Sequence, residues 1–455
     1  MSDNTLLSLI GNTPIVKITK FDTGLCTLYA KLENQNPCGS IKDRIALTVI
    51  EEAEKTGKLK PGGTIIEATA GNTGLGLGLV AALKGYKLIL VIPDKMSREK
   101  LQHLQALGAK IILTRSDVGK GHPEFYQDLA EKIYKETPGS YYFSQFTNPI
   151  NPYAHEIGTG PEILKQMDND IDAIICGVGS GGTATGLGRF FAKNSPKTEI
   201  VIADPVGSIV KHFVETKEIL NTSGPSVVEG IGSGSIPSVS DLSYAKKAYS
   251  ISDLESLTCA RELLTKEAIF GGSSTGTLLA AALKYCNEQT VPKKVMFFVC
   301  DSGNKYLSKM FDDTWMYDQG FIKRKSENNL LDLITRRFEE GATVSISPDN
   351  TIMTALSRMS MYSVSQLPVL EGSKLVGIVD EMDLLIAVSQ DKENFKKQIV
   401  GFMTTELTTF KPTDTVDMIF PLFEQGKVAI VKDGEQFIGL ITKIDVLNYL
   451  KRGIA

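Results

Sequence analysis

The sequence has few of the residues that build disulfide frameworks and metal sites. It contains 6 cysteines at irregular positions and 4 histidines among 455 residues, with no Cys-x-x-Cys pair and no Cys/His cluster. This distribution excludes a disulfide scaffold and argues against zinc, so we expect no metal. Cysteines used in this way are typical of a reducing compartment, and we predict a cytoplasmic protein.

Long apolar runs and an excess of one charge are also lacking. No stretch approaches the roughly 18 apolar residues that cross a bilayer, and no basic segment followed by an apolar run opens the chain. The 53 acidic and 49 basic side chains are well mixed and leave a net charge of -4. We therefore expect neither a membrane nor a nucleic acid among the partners.

What the sequence does contain is a regular alternation of strands and helices. Between about residues 60 and 300, short β-rich runs such as "GTIIEA", "YKLILVIP" and "DAIICGVG" alternate with helical segments such as "NTGLGLGLVAALKG". Apolar strands separated by helices predict a parallel α/β core that is buried on both faces. In such folds, ligands bind where a strand turns into a helix.

The composition changes near residue 320, where "GFIKRKSENN" reads as a polar linker. Beyond it, "SISPDNTIMTALSRM" and "LPVLEGSKLVGIVDEMDLL" are repeated as "TFKPTDTVDMIFPLF" and "VAIVKDGEQFIGLITKIDVL". Each copy predicts helix, strand, turn, strand and helix, too little for a separate core, so we expect one pseudo-twofold α+β module. The predicted bounds are 1–320 for the core, 321–330 for the linker, and 331–392 and 393–455 for the two copies.

Three glycine-rich turns open predicted helices at Thr69–Gly78, Gly177–Gly186 and Phe270–Thr277. Each presents free backbone N–H groups at a helix N-terminus, which suits an anion, although a tight turn packed on a sheet would explain any one of them. The second turn suits a phosphate best, since it combines unobstructed backbone with two hydroxyls: Gly179, Ser180, Gly181, Gly182 and Thr183. It is not a Walker A motif, because no lysine follows its last glycine.

Lys42 stands in "NPCGSIKDR", directly after a Gly-Ser turn and at the predicted start of a helix, where a cation is disfavoured. Most lysines are solvated helix residues. Beside a phosphate loop, however, a lysine also suits a Schiff base with a carbonyl cofactor. Pyridoxal phosphate needs such a lysine, a phosphate cradle, a hydrogen bond to its phenolic oxygen and a partner for its ring nitrogen, and the sequence offers all four.

The order of "NPCGSIKDR", "EATAGNTGLGLG", "GVGSGGT", "VEGIG" and "GGSSTGT" resembles that in fold-type II pyridoxal-phosphate enzymes of the cysteine synthase/cystathionine β-synthase family. The resemblance covers residues 4–320, and "DSGNKYLSKMFDDTWM" is typical of the β-synthase branch. The terminal repeat resembles a pair of CBS regulatory domains, a Bateman module. The resemblance implies a core of two parallel-sheet subdomains followed by this pair.

Carried over by position, the resemblance implies a role for each motif. Lys42 would bond to the cofactor aldehyde and act as the catalytic base, Asn72 would bind the phenolic oxygen, and Ser273 would face the ring nitrogen. The glycine loop 179–183 would bind the phosphate. The substrate carboxylate would be bound by Thr69, Ala70, Gly71, Asn72, Thr73 and Gln145. A serine cannot keep the ring nitrogen protonated as an aspartate would. The ring is then a weaker electron sink, which favours β-replacement.

The resemblance further implies condensation of serine with homocysteine to cystathionine, and hydrogen sulfide production from cysteine. The alternatives are a cysteine synthase that uses O-acetylserine and sulfide, and a nucleotide-sensing protein without activity. Three positions depart from the family pattern, Ser233, Phe146 and Ala70, and they leave the second substrate open.

The second repeat carries "GLITKID", which resembles the nucleotide motif of CBS domains. There Thr442 and Asp445 would meet an adenosyl ligand, S-adenosylmethionine or AMP. The first repeat has Asp380 in the threonine position, where a carboxylate would repel a phosphate. We expect no heme, because the heme-binding N-terminal extension of animal enzymes is not seen before "LIGNTP". A homodimer or higher homo-oligomer is expected.

Overall fold

The computed structural model describes residues 5–69, 71–94, 96–220, 223–324 and 327–451. The chain forms two compact units, Met1–Phe311 and Asp312–Ala455. The strands of the first unit are β1 Ile15–Lys17, β2 Thr27–Lys31, β3 Thr64–Ala68, β4 Lys87–Pro93, β5 Lys110–Thr114, β6 Tyr141–Tyr142, β7 Ala173–Gly177, β8 Glu199–Pro205, β9 Ala245–Ile251 and β10 Lys294–Phe298. Its helices are α1 Lys42–Lys55, α2 Asn72–Lys84, α3 Arg98–Ala106, α4 Tyr126–Lys135, α5 Ile150–Ala154, α6 Gly160–Gln166, α7 Gly182–Asn194, α8 Val210–Thr216, α9 Asp253–Glu267 and α10 Ser273–Asn287.

Two sheets form the first unit, as the strand–helix alternation predicts. One has six strands in the order β1-β2-β10-β7-β8-β9, and the other has four in the order β5-β4-β3-β6. All pairings are parallel except β1 with β2. Ile174, Ile175 and Cys176 on β7 are completely buried, because helices cover both faces of the sheet. The predicted parallel α/β core with two sheet subdomains is confirmed.

Glycines in α2 let this helix approach its neighbours closely. A methyl group at Gly76 would lie 3.1 Å from the Lys42 carbonyl oxygen and 3.1 Å from the Ala46 side chain, both in α1. Even alanine would therefore push the two helices apart. The close contact brings the start of α2, with Asn72, toward the start of α1, with Lys42.

The second unit contains the repeated segments. Its helices are α11 Asp313–Asp318, α12 Ile352–Tyr362, α13 Glu381–Gln390, α14 Phe420–Glu424 and α15 Lys443–Lys451, and its strands are β11 Gln366–Glu371, β12 Lys374–Asp380, β13 Thr409–Phe410, β14 Ala429–Asp433 and β15 Gln436–Ile441. They form one sheet in the order β11-β12-β15-β14-β13, in which β12 and β15 join the two copies at Lys374 and Gln436. The expected helix–strand–strand–helix pattern is present in both copies. The helix Asp313–Asp318, which the sequence analysis assigns to the core, lies in this unit, and the predicted domain bounds stay a prediction.

Two classes of feature are missing from the described residues. No helix there combines the length and the apolar character that a bilayer crossing requires. The same residues hold no group of three or more His, Cys, Asp and Glu side chains arranged to bind a metal ion.

Candidate active site

The turn before Lys42 is held by the residues that follow it. Asp43 accepts hydrogen bonds from the Cys38 backbone N–H at 2.6 Å and from the Ser40 hydroxyl at 3.4 Å. Gly39, at φ +69°, supplies the left-handed backbone that the turn needs. The aspartate after Lys42 therefore closes the turn that presents this lysine at the start of α1.

Arg44 anchors the same helix through a buried ion network. Its Nε and Nη2 atoms donate to the two carboxylate oxygens of Glu33 at 2.7 and 2.8 Å. Nη1 and Nη2 also donate to Glu162 at 2.8 and 2.9 Å. Paired bonds to two carboxylates use the planar fork of arginine and fix α1 to distant segments of the unit. The Asp-Arg pair after Lys42 is thus structural support for the lysine.

The surroundings of the Lys42 side chain favour its neutral amine form over the ammonium form. It is half-buried, and burial lowers the pKa of its ammonium group, against the raising effects of Cys300, Asp301 and Glu33. Within the described part of the chain, no group forms a hydrogen bond with its Nζ atom. A partly buried lysine with a lowered pKa and an unpaired amine is suited to act as a nucleophile or as a base.

The glycine loop between β7 and α7 is packed on both sides. A methyl group at Gly179 would lie 2.2 Å from the Gly230 carbonyl oxygen, and one at Gly182 would lie 1.9 Å from Oδ1 of Asn151. Gly181 has φ +83° and is the N-cap of α7, with no side chain capping the helix. The first N–H groups of α7 are therefore available to an anion. The loop fits the phosphate of pyridoxal phosphate.

Buried side chains tie this loop to its surroundings. Asn151 donates to the Ser180 hydroxyl at 3.0 Å and to the Gln145 carbonyl oxygen at 2.8 Å, which joins the phosphate loop to the predicted carboxylate site. His155 contacts the Thr183 hydroxyl through Nε2 at 3.2 Å and Thr159 through Nδ1 at 2.9 Å. Burial keeps the pKa of His155 well below its ordinary value, so the ring is neutral. This role of Asn151 and His155 is not apparent from the sequence motifs.

Asn72 lies at the first position of α2, between two charged groups. Its Nδ2 atom donates to Oδ2 of Asp301 at 2.7 Å, and its Oδ1 atom accepts from Lys305 Nζ at 2.9 Å. Ser273 begins α10, is buried, and accepts a hydrogen bond from the Glu229 N–H at 3.0 Å. This bond leaves the Ser273 hydroxyl proton free to donate to a ring nitrogen.

The predicted carboxylate site is assembled from two segments. Thr73 donates to Oε1 of Gln145 at 2.7 Å, and the Gln145 side chain donates to the Ala68 carbonyl oxygen at 3.2 Å. The Gly71 N–H donates to the Thr69 hydroxyl at 3.1 Å. Ala70 lies outside the described residues. Thr73 is thus in contact with Gln145, 72 positions further along the chain, whereas the Asn72 side chain bonds to Asp301 and Lys305.

One buried carboxyl group beside this site was not anticipated from the sequence. Glu67 on β3 is completely buried beside Ser144 and Gln145, which lower its pKa against the larger effect of burial. Burial raises its pKa to about 8, so the group is protonated at neutral pH. Nothing in "TIIEATA" distinguishes this glutamate from one that faces solvent.

A second candidate site lies in the second unit. A cavity of about 590 Å³ is lined by Thr442 and Asp445 together with Thr335, Arg336, Lys427 and Lys443. Asp445 accepts hydrogen bonds from the Thr442 N–H and hydroxyl and from the Thr335 hydroxyl, at 2.7, 2.5 and 2.7 Å. In the first repeat, Asp380 instead caps α13 by accepting from the Asp383 N–H at 2.8 Å.

Comparisons with known proteins agree with this geometry. The family described as "Pyridoxal-phosphate dependent enzyme" matches residues 6–301, and the CBS domain matches 332–390 and 397–452. The cystathionine beta-synthase of Dictyostelium discoideum is 35% identical over 99% of this chain and 92% of its own length. That of Mus musculus is 36% identical over 94% of this chain and 77% of its own length.

Solved structures match the first part of the chain. A hydrogen sulfide-producing enzyme from Fusobacterium nucleatum is 39% identical with a TM-score of 0.63, over 67% of this chain and 99% of that one. An O-acetylserine dependent cystathionine beta-synthase from Helicobacter pylori is 36% identical with a TM-score of 0.62, over 68% and 98%. Together with the loop that fits a phosphate and the unpaired amine of Lys42, these matches show that the chain belongs to the pyridoxal-phosphate-dependent enzymes of the cystathionine β-synthase type, with a C-terminal pair of CBS domains.

Proposed function

We propose that the chain joins serine and homocysteine to form cystathionine and water, by β-replacement. The observation that carries this proposal is the Lys42 amine at the start of α1, which has no hydrogen-bond partner among the described residues and whose pKa is lowered by burial. The choice of substrates is supported by the curated cystathionine beta-synthases, which align with 94% or more of the chain.

The proton transfers are assigned to Lys42. Bound pyridoxal phosphate would supply an electron-withdrawing ring that acidifies the α-carbon of the substrate. Lys42 removes the α-proton and passes it to the β-hydroxyl of serine, which leaves as water. The homocysteine thiol gives its proton to Lys42 as its sulfur bonds to the β-carbon. Lys42 then returns that proton to the α-carbon, and cystathionine is released.

The remaining predicted residues bind and orient. The N–H groups and hydroxyls of Gly179, Ser180, Gly181, Gly182 and Thr183 hold the phosphate, and Asn72 donates to the phenolic oxygen. Thr69, Gly71, Thr73 and Gln145 bind the substrate carboxylate. The Ser273 hydroxyl donates to the ring nitrogen, and it cannot keep that nitrogen protonated as an aspartate would. A ring held in this way would be a weaker electron sink, which suits β-replacement better than transamination.

Two related reactions differ from the proposed one in the first substrate or in the nucleophile. The Helicobacter pylori relative is described as O-acetylserine dependent, and the Fusobacterium nucleatum relative as hydrogen sulfide-producing. With cysteine in place of serine, the same steps in this chain release hydrogen sulfide. With O-acetylserine and sulfide they yield cysteine, and Ser233 and Phe146 lie in the segments where the family pattern differs.

The substrate assignment is tested by mass spectrometry of products. The protein is supplied with pyridoxal phosphate and incubated with serine plus homocysteine, O-acetylserine plus homocysteine, O-acetylserine plus sulfide, or cysteine plus homocysteine. We expect cystathionine from the first mixture, and cystathionine with hydrogen sulfide from the last. Turnover restricted to O-acetylserine plus sulfide would identify a cysteine synthase. No turnover together with no visible cofactor band would leave the nucleotide-sensing alternative.

We further propose that the cavity in the second unit binds an adenosyl ligand. Asp445 lies where its carboxylate would accept hydrogen bonds from ribose hydroxyls, and Thr442 supplies a hydroxyl beside it. Binding there would give the chain a regulatory input, and we expect the chain to function as a homo-oligomer.

Calorimetric titration with S-adenosylmethionine and with AMP tests this cavity. S-adenosylmethionine is expected to bind, and Asp445→Ala should weaken binding about tenfold through the loss of charge-assisted hydrogen bonds. Asp383→Ala is the matched control, because Asp383 holds the equivalent place in the first repeat and does not line the cavity. If neither ligand produces heat, the module has a structural role only. If Asp445→Ala and Asp383→Ala lose the same amount of ligand affinity, the ligand binds outside this cavity.

A further inference from the structure

Lys305 is a buried lysine whose three protons are all directed at the active site. It lies in the turn Gly303–Tyr306 after β10 and is 6% exposed. Its Nζ atom donates to the carbonyl oxygens of Cys38 and Gly39 at 2.9 and 3.0 Å, and to Oδ1 of Asn72 at 2.9 Å. An ammonium group has three donors, so these contacts satisfy it completely. Two of them hold the turn that presents Lys42.

The charges on either side of Asn72 decide which way its amide points. Lys305 can only donate and the Asp301 carboxylate can only accept, so Oδ1 must face Lys305 and Nδ2 must face Asp301. Asp301 is itself fixed by the Tyr306 hydroxyl, which donates to Oδ2 at 2.6 Å. One proton of Nδ2 remains, and it is the single donor that this amide can offer to a ligand.

We infer that Lys305 is a positioning residue, which orients the Asn72 amide toward the phenolic oxygen of the cofactor and places a positive charge one amide away from it. The inference rests on the proposed function, in which Asn72 faces the cofactor. It adds a residue that acts on the cofactor without touching it. The same ammonium group fixes the relative position of Asn72 and of the turn that carries Lys42.

The positive charge of Lys305 should affect the pH at which the visible absorption of the bound cofactor changes. A cation near a titrating group disfavours its protonated form, so removing the cation raises the pKa of that group. Burial lowers the pKa of Lys305 to about 8, so the ammonium group is charged at neutral pH. The other titratable groups that act on Lys305 are Asp301, Lys100, Asp43 and Cys38.

The experiment compares three substitutions of Lys305 in the full, cofactor-loaded chain. The pH midpoint of the visible cofactor absorption and the dissociation constant of pyridoxal phosphate are measured for each. Lys305→Met should raise the midpoint by about one pH unit and weaken cofactor binding about tenfold. Lys305→Gln, which keeps a neutral donor, should shift the midpoint with a smaller loss of affinity. Lys305→Arg should restore the midpoint.

Lys293→Met is the matched control. Lys293 is a half-buried lysine of the same unit that donates to Glu199 at 3.1 Å and to the Tyr285 hydroxyl at 2.8 Å, but it contacts neither Asn72 nor the Lys42 turn. Lys293→Met should leave the pH midpoint of the visible absorption and the dissociation constant of pyridoxal phosphate unchanged. An unshifted midpoint in loaded Lys305→Met and Lys305→Gln would overturn the inference, as would equal shifts in all three variants. If Lys305→Met does not fold, Lys305→Gln and Lys305→Arg decide. A wild-type protein without a visible band would instead refute the proposed function.

Discussion

Replacing Lys42 with alanine is expected to remove the visible absorption of bound cofactor and to lower kcat by about 10³-fold or more. The variant has no amine to bond to the cofactor aldehyde and no base to carry the α-proton. Borohydride reduction followed by peptide mass spectrometry measures the first effect, since the wild-type chain should carry a reduced pyridoxyl group on Lys42. Steady-state kinetics with serine and homocysteine measures the second.

Two further variants test whether the loss of activity comes from the missing amine, and not from a missing positive charge or from a change in helix α1. Lys42→Arg keeps a cation but offers no neutral base, because guanidinium is not deprotonated in proteins, so it should be as inactive as alanine. Lys55→Ala alters the exposed lysine at the other end of α1, 79% exposed, and should retain full activity. A yellow, active Lys42→Ala protein would refute the assignment of this residue.

The motifs of the active site were readable from the sequence because each depends on local backbone requirements. Glycine is required at 179, 181 and 182 because a side chain there would collide with Gly230, Ser240 or Asn151. Requirements of this kind produce a glycine pattern of fixed spacing in the sequence. The strand and helix pattern was equally local. The alternation of apolar runs therefore predicted the two sheets, and the helices that start at Asn72, Gly182 and Ser273 carry the predicted site residues.

The partners of these motifs were not readable, because they come from distant parts of the chain. Lys305 and Asn72 are 233 positions apart, and Arg44 and Glu162 are 118 apart. A single lysine or glutamate in a sequence does not reveal which groups the fold will place beside it. Glu67 shows the same limit, since its complete burial follows from the packing around β3.

Replacing Arg44 with methionine should lower the free energy of unfolding of the first unit by about 3–5 kcal/mol. Glu33 is completely buried, and without Arg44 its side-chain hydrogen bonds among the described residues would be those from the Thr13 hydroxyl and the Asn36 amide, at 2.7 and 2.9 Å. Burial alone would raise the pKa of Glu33, and Arg44 contributes most to lowering it below its ordinary value, with smaller effects from Lys31 and Thr13. Urea unfolding followed by the visible absorption of bound cofactor reports on this unit.

Three comparisons make the Arg44 result specific. Arg115→Met removes an exposed pair with Asp117 and should cost less than about 1 kcal/mol. Arg44→Met combined with Glu33→Gln should recover part of the loss, because the uncompensated charge is gone. The single tryptophan, Trp315, lies in the second unit, so its fluorescence follows the unfolding of that unit separately. A loss in Arg44→Met no larger than in Arg115→Met would show that the buried network does not hold the Lys42 helix.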